Sequence, residues 1–302
     1  MASVAAQTAC AHPRPVHDPR PVRIDAHQHF WHYRPQEYGW IDARMQRIAR
    51  DFLPADLQPE LAQNDFDGCI AVQARCSDEE NRFLLDLARA HPFVRGVVGW
   101  VDLCAPDARD RTAALAREPQ LVGLRHVVQA EADDFLYRRD FRAGVRTLAR
   151  HGLVYDVLVH ARQLDAAADF VEALPDQPFV LDHLGKPDIA RGQRDDWERA
   201  FRRVAASPHV ACKLSGLVTE ADWHRWRAFD LRWYLDRALD AFGEHRVLFG
   251  SDWPVCLLAA RDHAAVHTIV ADWAAHLPTG TRDLLFGGNA ARIYRLANAT
   301  TP

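Results

Sequence analysis

The chain has 302 residues, 48% of them apolar and 26% charged, which is enough to bury one large core. A formal net charge of −4 gives no bulk basic character and argues against a nucleic-acid partner or an anionic membrane surface. The apolar runs fall far short of a bilayer span, so a soluble, cytoplasmic protein is expected.

In chain order, residues 1–21 come first. They lack a positively charged start and a continuous apolar stretch, and they carry Pro13, Pro15, Pro19 and Pro21, so they read as a disordered tail and not as a signal peptide. Residues 22–298 read as one domain. Short β-branched runs at 22–27, 68–73, 94–100, 121–128, 153–159, 179–183, 210–214 and 247–250 are separated by stretches of helical spacing at 54–64, 78–90, 106–117, 135–151, 164–174, 194–206, 222–242 and 263–276. Pro54, Asp78, Pro106 and Asp222 are helix-start signals, and Gly152 and Gly243 are stops. Eight strand and helix pairs predict an α/β fold; an open sheet fits them too, but a polar residue at almost every strand's C-terminal end favours closure into the (β/α)8 or TIM barrel, with a last helix at 289–296 after the Gly287-Gly288 break. The aromatic segment 30–52 has no clean period and reads as a long loop over the mouth of the barrel. The six cysteines form no Cys-x-x-Cys pair and read as reduced thiols.

Barrel enzymes place their chemistry at the C-terminal ends of the strands. The first strand ends in His27-Gln28-His29, two imidazoles on one face and half of a metal site. The eighth ends in Gly250-Ser251-Asp252-Trp253-Pro254, and closure of the barrel would bring Asp252 beside the two histidines. The other ends offer Gln73 and Arg75, Asp102, Arg125 and His126, Tyr155, His183, and Lys213. On the fifth strand Tyr155 alternates with Asp156 and His160. Tyr155 is taken as the inward residue, and His160 as a rim candidate. Lys213, inside an apolar strand, is expected to end in the polar mouth near an acid.

The runs Ile24-Asp25-Ala26-His27-Gln28-His29-Phe30-Trp31, Leu181-Asp182-His183-Leu184-Gly185-Lys186-Pro187, Cys212-Lys213-Leu214-Ser215-Gly216 and Phe249-Gly250-Ser251-Asp252-Trp253-Pro254-Val255 resemble the sugar-lactonase branch of the amidohydrolase superfamily, with the likeness running from about Arg23 to Tyr294. Binuclear members carry a bridging lysine or glutamate on the fourth strand, where this chain has Arg125 and His126. The resemblance therefore implies at most one divalent ion, zinc first, held by His27, His29 and Asp252, with His183 a further candidate, and not required in every member of the branch.

The expected reaction is hydrolysis of a small-molecule sugar lactone, with Asp252 as base. His27, His29 and any metal orient the water, and His183 and Lys213 face the oxyanion or the leaving oxygen. Trp31, Gln73, Arg75, Arg125, His126, Tyr155 and Trp253 are expected to bind the sugar. An oligomer is compatible with this reading. The alternatives are a metal-dependent decarboxylase on the same scaffold, with Arg125 or Lys213 gripping a carboxylate, and a non-catalytic sugar-acid binder.

Overall fold

The computed structural model describes residues 20–297. The expected disorder of residues 1–21 falls, for residues 1–19, outside the described residues. Eight parallel strands lie side by side in chain order: β1 (Ile24–Gln28), β2 (Gly68–Val72), β3 (Val94–Gly99), β4 (Leu121–His126), β5 (Val154–Val157), β6 (Phe179–Leu181), β7 (Val210–Leu214) and β8 (Val247–Phe249). Helices cover the outside: α1 (Pro54–Gln63), α2 (Asp78–Ala90), α3 (Ala108–Leu115), α4 (Arg139–Val145), α5 (Leu164–Glu172), α6 (Asp195–Ala205), α7 (Leu217–Glu220), α8 (Ala228–Phe242), α9 (His263–Ala274), α10 (Thr279–Asp283) and α11 (Asn289–Ile293). This is the (β/α)8 barrel expected, in a single domain. No helix among the described residues is long and apolar enough to cross a membrane. Cys69, Cys76, Cys104, Cys212 and Cys256 are all free thiols.

Strand alternation divides the core into two layers. Ile24, Ile70, Val72, Val98, Val154, Val180, Ala211 and Leu248 pack within the lumen, and Tyr294, just past α11, joins them. The larger outer layer lies between strands and helices and takes in Leu84, Phe141, Phe170, Trp197, Phe201 and Leu235. Two helix starts follow from single side chains. Ser77 Oγ accepts from the Glu80 amide at 3.2 Å, and Asp262 Oδ1 accepts from the Ala265 amide at 2.8 Å.

Several boundaries differ from the sequence reading. The helix expected over 135–151 is broken into 3-10 turns flanking α4, and Gly152 stops it in a left-handed conformation. The helix expected from Asp222 begins six residues later, because Asp222 caps a turn with its own side chain on the His224 amide. The sixth strand stops at Leu181, two residues short of His183, where the chain turns.

The loop after β1 folds back on itself. Trp31 and Phe52 pair as an antiparallel bridge, with amides and carbonyls exchanged at 2.9 and 3.0 Å. Phe30, Trp31, Tyr38, Phe52 and Trp253 form a buried aromatic layer, with rings meeting mostly edge to face, as their quadrupoles favour. This layer walls one side of the mouth.

Candidate active site

His27 and His29 leave β1 with their Nε2 atoms 3.2 Å apart. Asp252 Oδ1 lies 3.4 Å from His29 Nε2 and 3.8 Å from His27 Nε2, so the three side chains expected to meet do meet. All three are buried. Close approach of β8 to β1 requires a glycine: a Cβ on Gly250 would sit 2.7 Å from the His27 Cβ. Asp252 adopts a left-handed φ of 58°, which aspartate tolerates better than most residues and which marks a turn held by its surroundings.

His183 enters from the turn after β6. His183, Leu184, Gly185 and Lys186 all have positive φ, a run of left-handed residues that swings the imidazole back over the strands. Its Nδ1 is 2.9 Å from Ser215 Oγ, and its ring centroid is 4.5 Å from that of His27. Gly216 makes room, since a Cβ there would meet His183 Nδ1 at 2.7 Å.

Beneath the histidines lies a charged plug. Lys213 Nζ is 2.5 Å from Asp156 Oδ2, 3.0 Å from Asp182 Oδ1 and 3.2 Å from His27 Nδ1. Arg125 Nη1 is 3.0 Å from Asp182 Oδ2 and 3.3 Å from His27 Nε2, while its Nη2 donates to the Gln73 carbonyl. The Tyr294 hydroxyl closes the bottom by donating to Asp156 Oδ1 at 2.8 Å. Two cations face two carboxylates, the balance a dry interior demands.

Burial and charge set the protonation states. Burial pushes the His27 pKa well below its ordinary value; Asp182 opposes the shift, while Lys213 and His183 add to it. His183 is lowered to about 4, chiefly by burial. For Asp252 burial acts upward, but His183, His29 and His27 outweigh it and hold the carboxyl below its ordinary range. Asp182 is likewise held low, with burial outweighed by Lys213, His27 and Arg125. Near neutrality the mouth therefore contains one carboxylate flanked by neutral His27 and His183.

The arrangement also tests whether a metal fits. Tetrahedral ligands about 2.1 Å from zinc lie about 3.4 Å apart, which matches the spacing of His27 Nε2, His29 Nε2 and Asp252 Oδ1. His29 Nδ1 is 2.7 Å from the Val72 carbonyl, which only accepts, so Nδ1 carries the proton and Nε2 offers its lone pair. His27, Asp182 and His183 form a second converging trio. The donors fit one ion; Arg125 beside His27 brings a positive charge where a bridging acid would be needed for a second.

Other expected site residues lie elsewhere. Tyr155 points outward, against Phe141, Phe170 and Phe179, and Asp156 is the inward residue of β5. Strand parity is thus the reverse of the sequence reading, which takes Tyr155 as inward. Lys213 is not in the mouth: it is wholly buried under His27. Arg75 is held by Glu80 Oε2 at 2.7 Å and by Glu37, lies over the Tyr38 ring, and ties the aromatic loop to β2. His126 sits outside the lumen, accepting from Trp100 Nε1 at 3.1 Å, 2.9 Å from Glu131 and stacked on Phe135. Trp31 and Trp253 are buried in the aromatic layer, and Trp31 backs His29 at 6.4 Å between centroids. Gln73 does face inward, its amide nitrogen on the Arg125 carbonyl at 3.0 Å and its Oε1 without a protein partner. His160 is half-buried at the rim, its pKa lowered to about 4 by burial and by Lys186. Sequence reasoning missed Asp156 and Tyr294. An acid inside a strand facing a strand lysine was the available signal for the first; nothing local pointed to the second.

With this geometry in place the comparisons with known proteins are specific. Residues 24–296 match the sequence pattern of the amidohydrolase family. The chain is 49% identical over 287 residues to the L-fucono-1,5-lactonase of Burkholderia multivorans, covering 91% of this chain and 96% of that protein. It is 39% identical over 280 residues to the L-fucono-1,5-lactonase of Burkholderia ambifaria, again covering 91% and 96%. A crystal structure of an amidohydrolase from Burkholderia multivorans with bound zinc superposes with a TM-score of 0.88 at 47% identity, covering 91% of this chain and 100% of that one. The chain belongs to the amidohydrolase family.

Proposed function

We propose that the protein is a lactonase that opens a sugar-acid lactone of the L-fucono-1,5-lactone type to the free acid. The observation that carries this is the meeting of His27, His29 and Asp252 at the β8 to β1 closure, with neutral His183 facing them. The resemblance along nearly the whole chain to two L-fucono-1,5-lactonases supports the substrate class.

In this reading Asp252, ionised at neutral pH, takes a proton from the attacking water. Its low basicity suits a lactone, whose carbonyl is already a fair electrophile. With Ser215 Oγ donating to His183 Nδ1, the neutral ring keeps its proton on Nε2 and donates a hydrogen bond to the carbonyl oxygen as it gains charge, and the proton that Asp252 takes from water passes to the departing ring oxygen. Arg125 supplies fixed positive charge beneath the developing oxyanion. Lys213 acts through His27 and does not touch substrate. Gln73 Oε1 accepts from a sugar hydroxyl, and His160 and Lys186 complete the rim. His27, His29 and Asp252 would hold a zinc ion, which when bound supplies Lewis acidity and lowers the pKa of water towards about 7.

Acid release from a panel of L-fucono-, L-rhamnono- and galactonolactones near neutral pH tests the reading. Turnover of at least one at kcat/KM above about 10⁴ M⁻¹s⁻¹ is expected. A panel without turnover, or carbon dioxide release from an aromatic acid instead, would overturn it.

A further inference from the structure

The barrel is joined by continuous backbone ladders from β1 through to β8, but β8 and β1 are connected differently. Only a short bridge at the mouth links them, where the His29 amide donates to the Trp253 carbonyl at 2.7 Å and the Asp252 amide to the His27 carbonyl at 2.8 Å. Just beneath it the Asp25 carboxylate does the work of a missing rung. Asp25 Oδ1 accepts from the Ser251 amide at 2.9 Å and the His27 amide at 3.1 Å. Asp25 Oδ2 accepts from Ser251 Oγ at 2.6 Å and lies 3.1 Å from His263 Nε2. Asp25, Ser251 and His263 are completely buried.

The direction of each bond follows from what each group can do. Ser251 Oγ gives its proton to Asp25 and accepts from the Trp253 amide at 3.0 Å, so one hydroxyl grips the chain on both sides of Asp252. Asn64 Nδ2, a donor, faces His263 Nδ1 at 3.4 Å, which assigns the proton of that ring to Nε2 and aims it at Asp25. The His263 amide donates to Glu60 Oε2 at 2.6 Å, fixing the start of α9 to the end of α1.

We propose that Asp25, Ser251 and His263 are a positioning unit that clamps the β8 to β1 closure and holds Asp252 in its left-handed conformation, with its carboxylate against His27 and His29. None of the three reaches the Asp252 carboxylate. They act on the backbone that carries it. The unit rests on the lactonase reading for its effect on turnover but not for its effect on the geometry of the three ligand side chains. Outer partners of this kind are typically worth about ten- to a hundredfold in activity or metal affinity.

The test uses Ser251→Ala and Asp25→Asn in the full chain, with kcat, KM, the Zn²⁺ dissociation constant by chelator competition and the urea midpoint measured on each. The expected result for Ser251→Ala is a kcat lower by about ten- to a hundredfold, KM within about twofold, and Zn²⁺ bound at least about tenfold more weakly. Asp25→Asn, which keeps shape but loses acceptor capacity, should show a larger loss of the same pattern, and if it does not fold Ser251→Ala decides alone. Ser251→Ala with kcat and Zn²⁺ affinity both within twofold of the parent would overturn the proposal, as would a fall in kcat matched by a fall in folded fraction. Failure of the substrate reading shows differently, as no turnover by the parent, and leaves the Zn²⁺ comparison to decide the positioning role.

Discussion

The lumen and the mouth are built from the same kinds of side chain and behave in opposite ways. In the lumen, Arg125, Lys213, Asp156, Asp182 and Tyr294 are buried, and each charge finds an opposite one within about 3 Å. In the mouth, Asp252 faces imidazoles and no lysine or arginine, the His27 and His29 nitrogens face each other, and Gln73 Oε1 has no partner. A charge already matched by an opposite one holds its neighbours in place and has little left to offer a ligand. Asp252, with no cation of its own, and Gln73 Oε1, with no partner, are the groups available for chemistry, and the lumen holds His27 beside them through Lys213 and Arg125.

That division can be broken from either side. The largest effect is expected at the mouth. Asp252→Asn keeps the shape and removes the base, and kcat should fall by about 10²- to 10⁴-fold while the unfolding midpoint stays close to that of the parent. Near-normal turnover would remove Asp252 from the chemistry. The next effect belongs to the lumen and should appear as stability. Lys213→Met leaves Asp156 and Asp182 facing each other without their shared cation, at a cost of about 3–5 kcal/mol in urea unfolding. The double variant Lys213→Met with Asp156→Asn should recover part of that loss. A single variant as stable as the parent would show that the plug is not a coupled unit.

A smaller effect should appear with pH. His160, His183 and His267 each have a pKa lowered to about 4, in every case chiefly by burial, with Arg23 adding to the shift at His267. An unfolded histidine titrates near about 6.5. Between these values the unfolded chain takes up protons that the folded chain refuses, so stability is complete above about 6.5 and declines as pH falls towards about 4. Urea midpoints across that range should drop steadily, and His267→Gln should flatten the slope. A profile already flat in the parent would contradict these histidines being held neutral.

The same contrast explains what could be read from the sequence. The barrel was legible because eight apolar runs alternate with helical spacing over the chain, and β7 was placed to the residue. His27, His29, Asp252 and His183 were legible because each follows an apolar run, where a polar residue needs a reason. What was not legible depends on contacts between distant segments. Arg75 looks like a free cation until Glu37 and Glu80 are brought to it from the loop and from α2. Trp253 looks like a sugar-binding ring until Phe30 and Phe52 pack against it. Tyr294 is one more residue of the last expected helix until the turn after α11 brings its hydroxyl to Asp156.

Tyr155 is where the sequence reading and the structure part most sharply, and it carries the smallest predicted effect. On β5 the choice between Tyr155 and Asp156 is a choice of face, and a one-residue change of parity exchanges everything between lumen and outer layer. With Tyr155 outward, its ring fills space among Phe141, Phe170 and Phe179 and its hydroxyl has no side-chain partner. Removing such a hydroxyl costs no hydrogen bond and relieves a buried polar group, so Tyr155→Phe should leave kcat/KM within about twofold and leave the urea midpoint unchanged or slightly raised. A tenfold loss of kcat/KM would place the phenol against substrate, and Asp156 could not then face Lys213 on the neighbouring inward position. The charged plug and the outward tyrosine therefore stand or fall on a single conservative substitution.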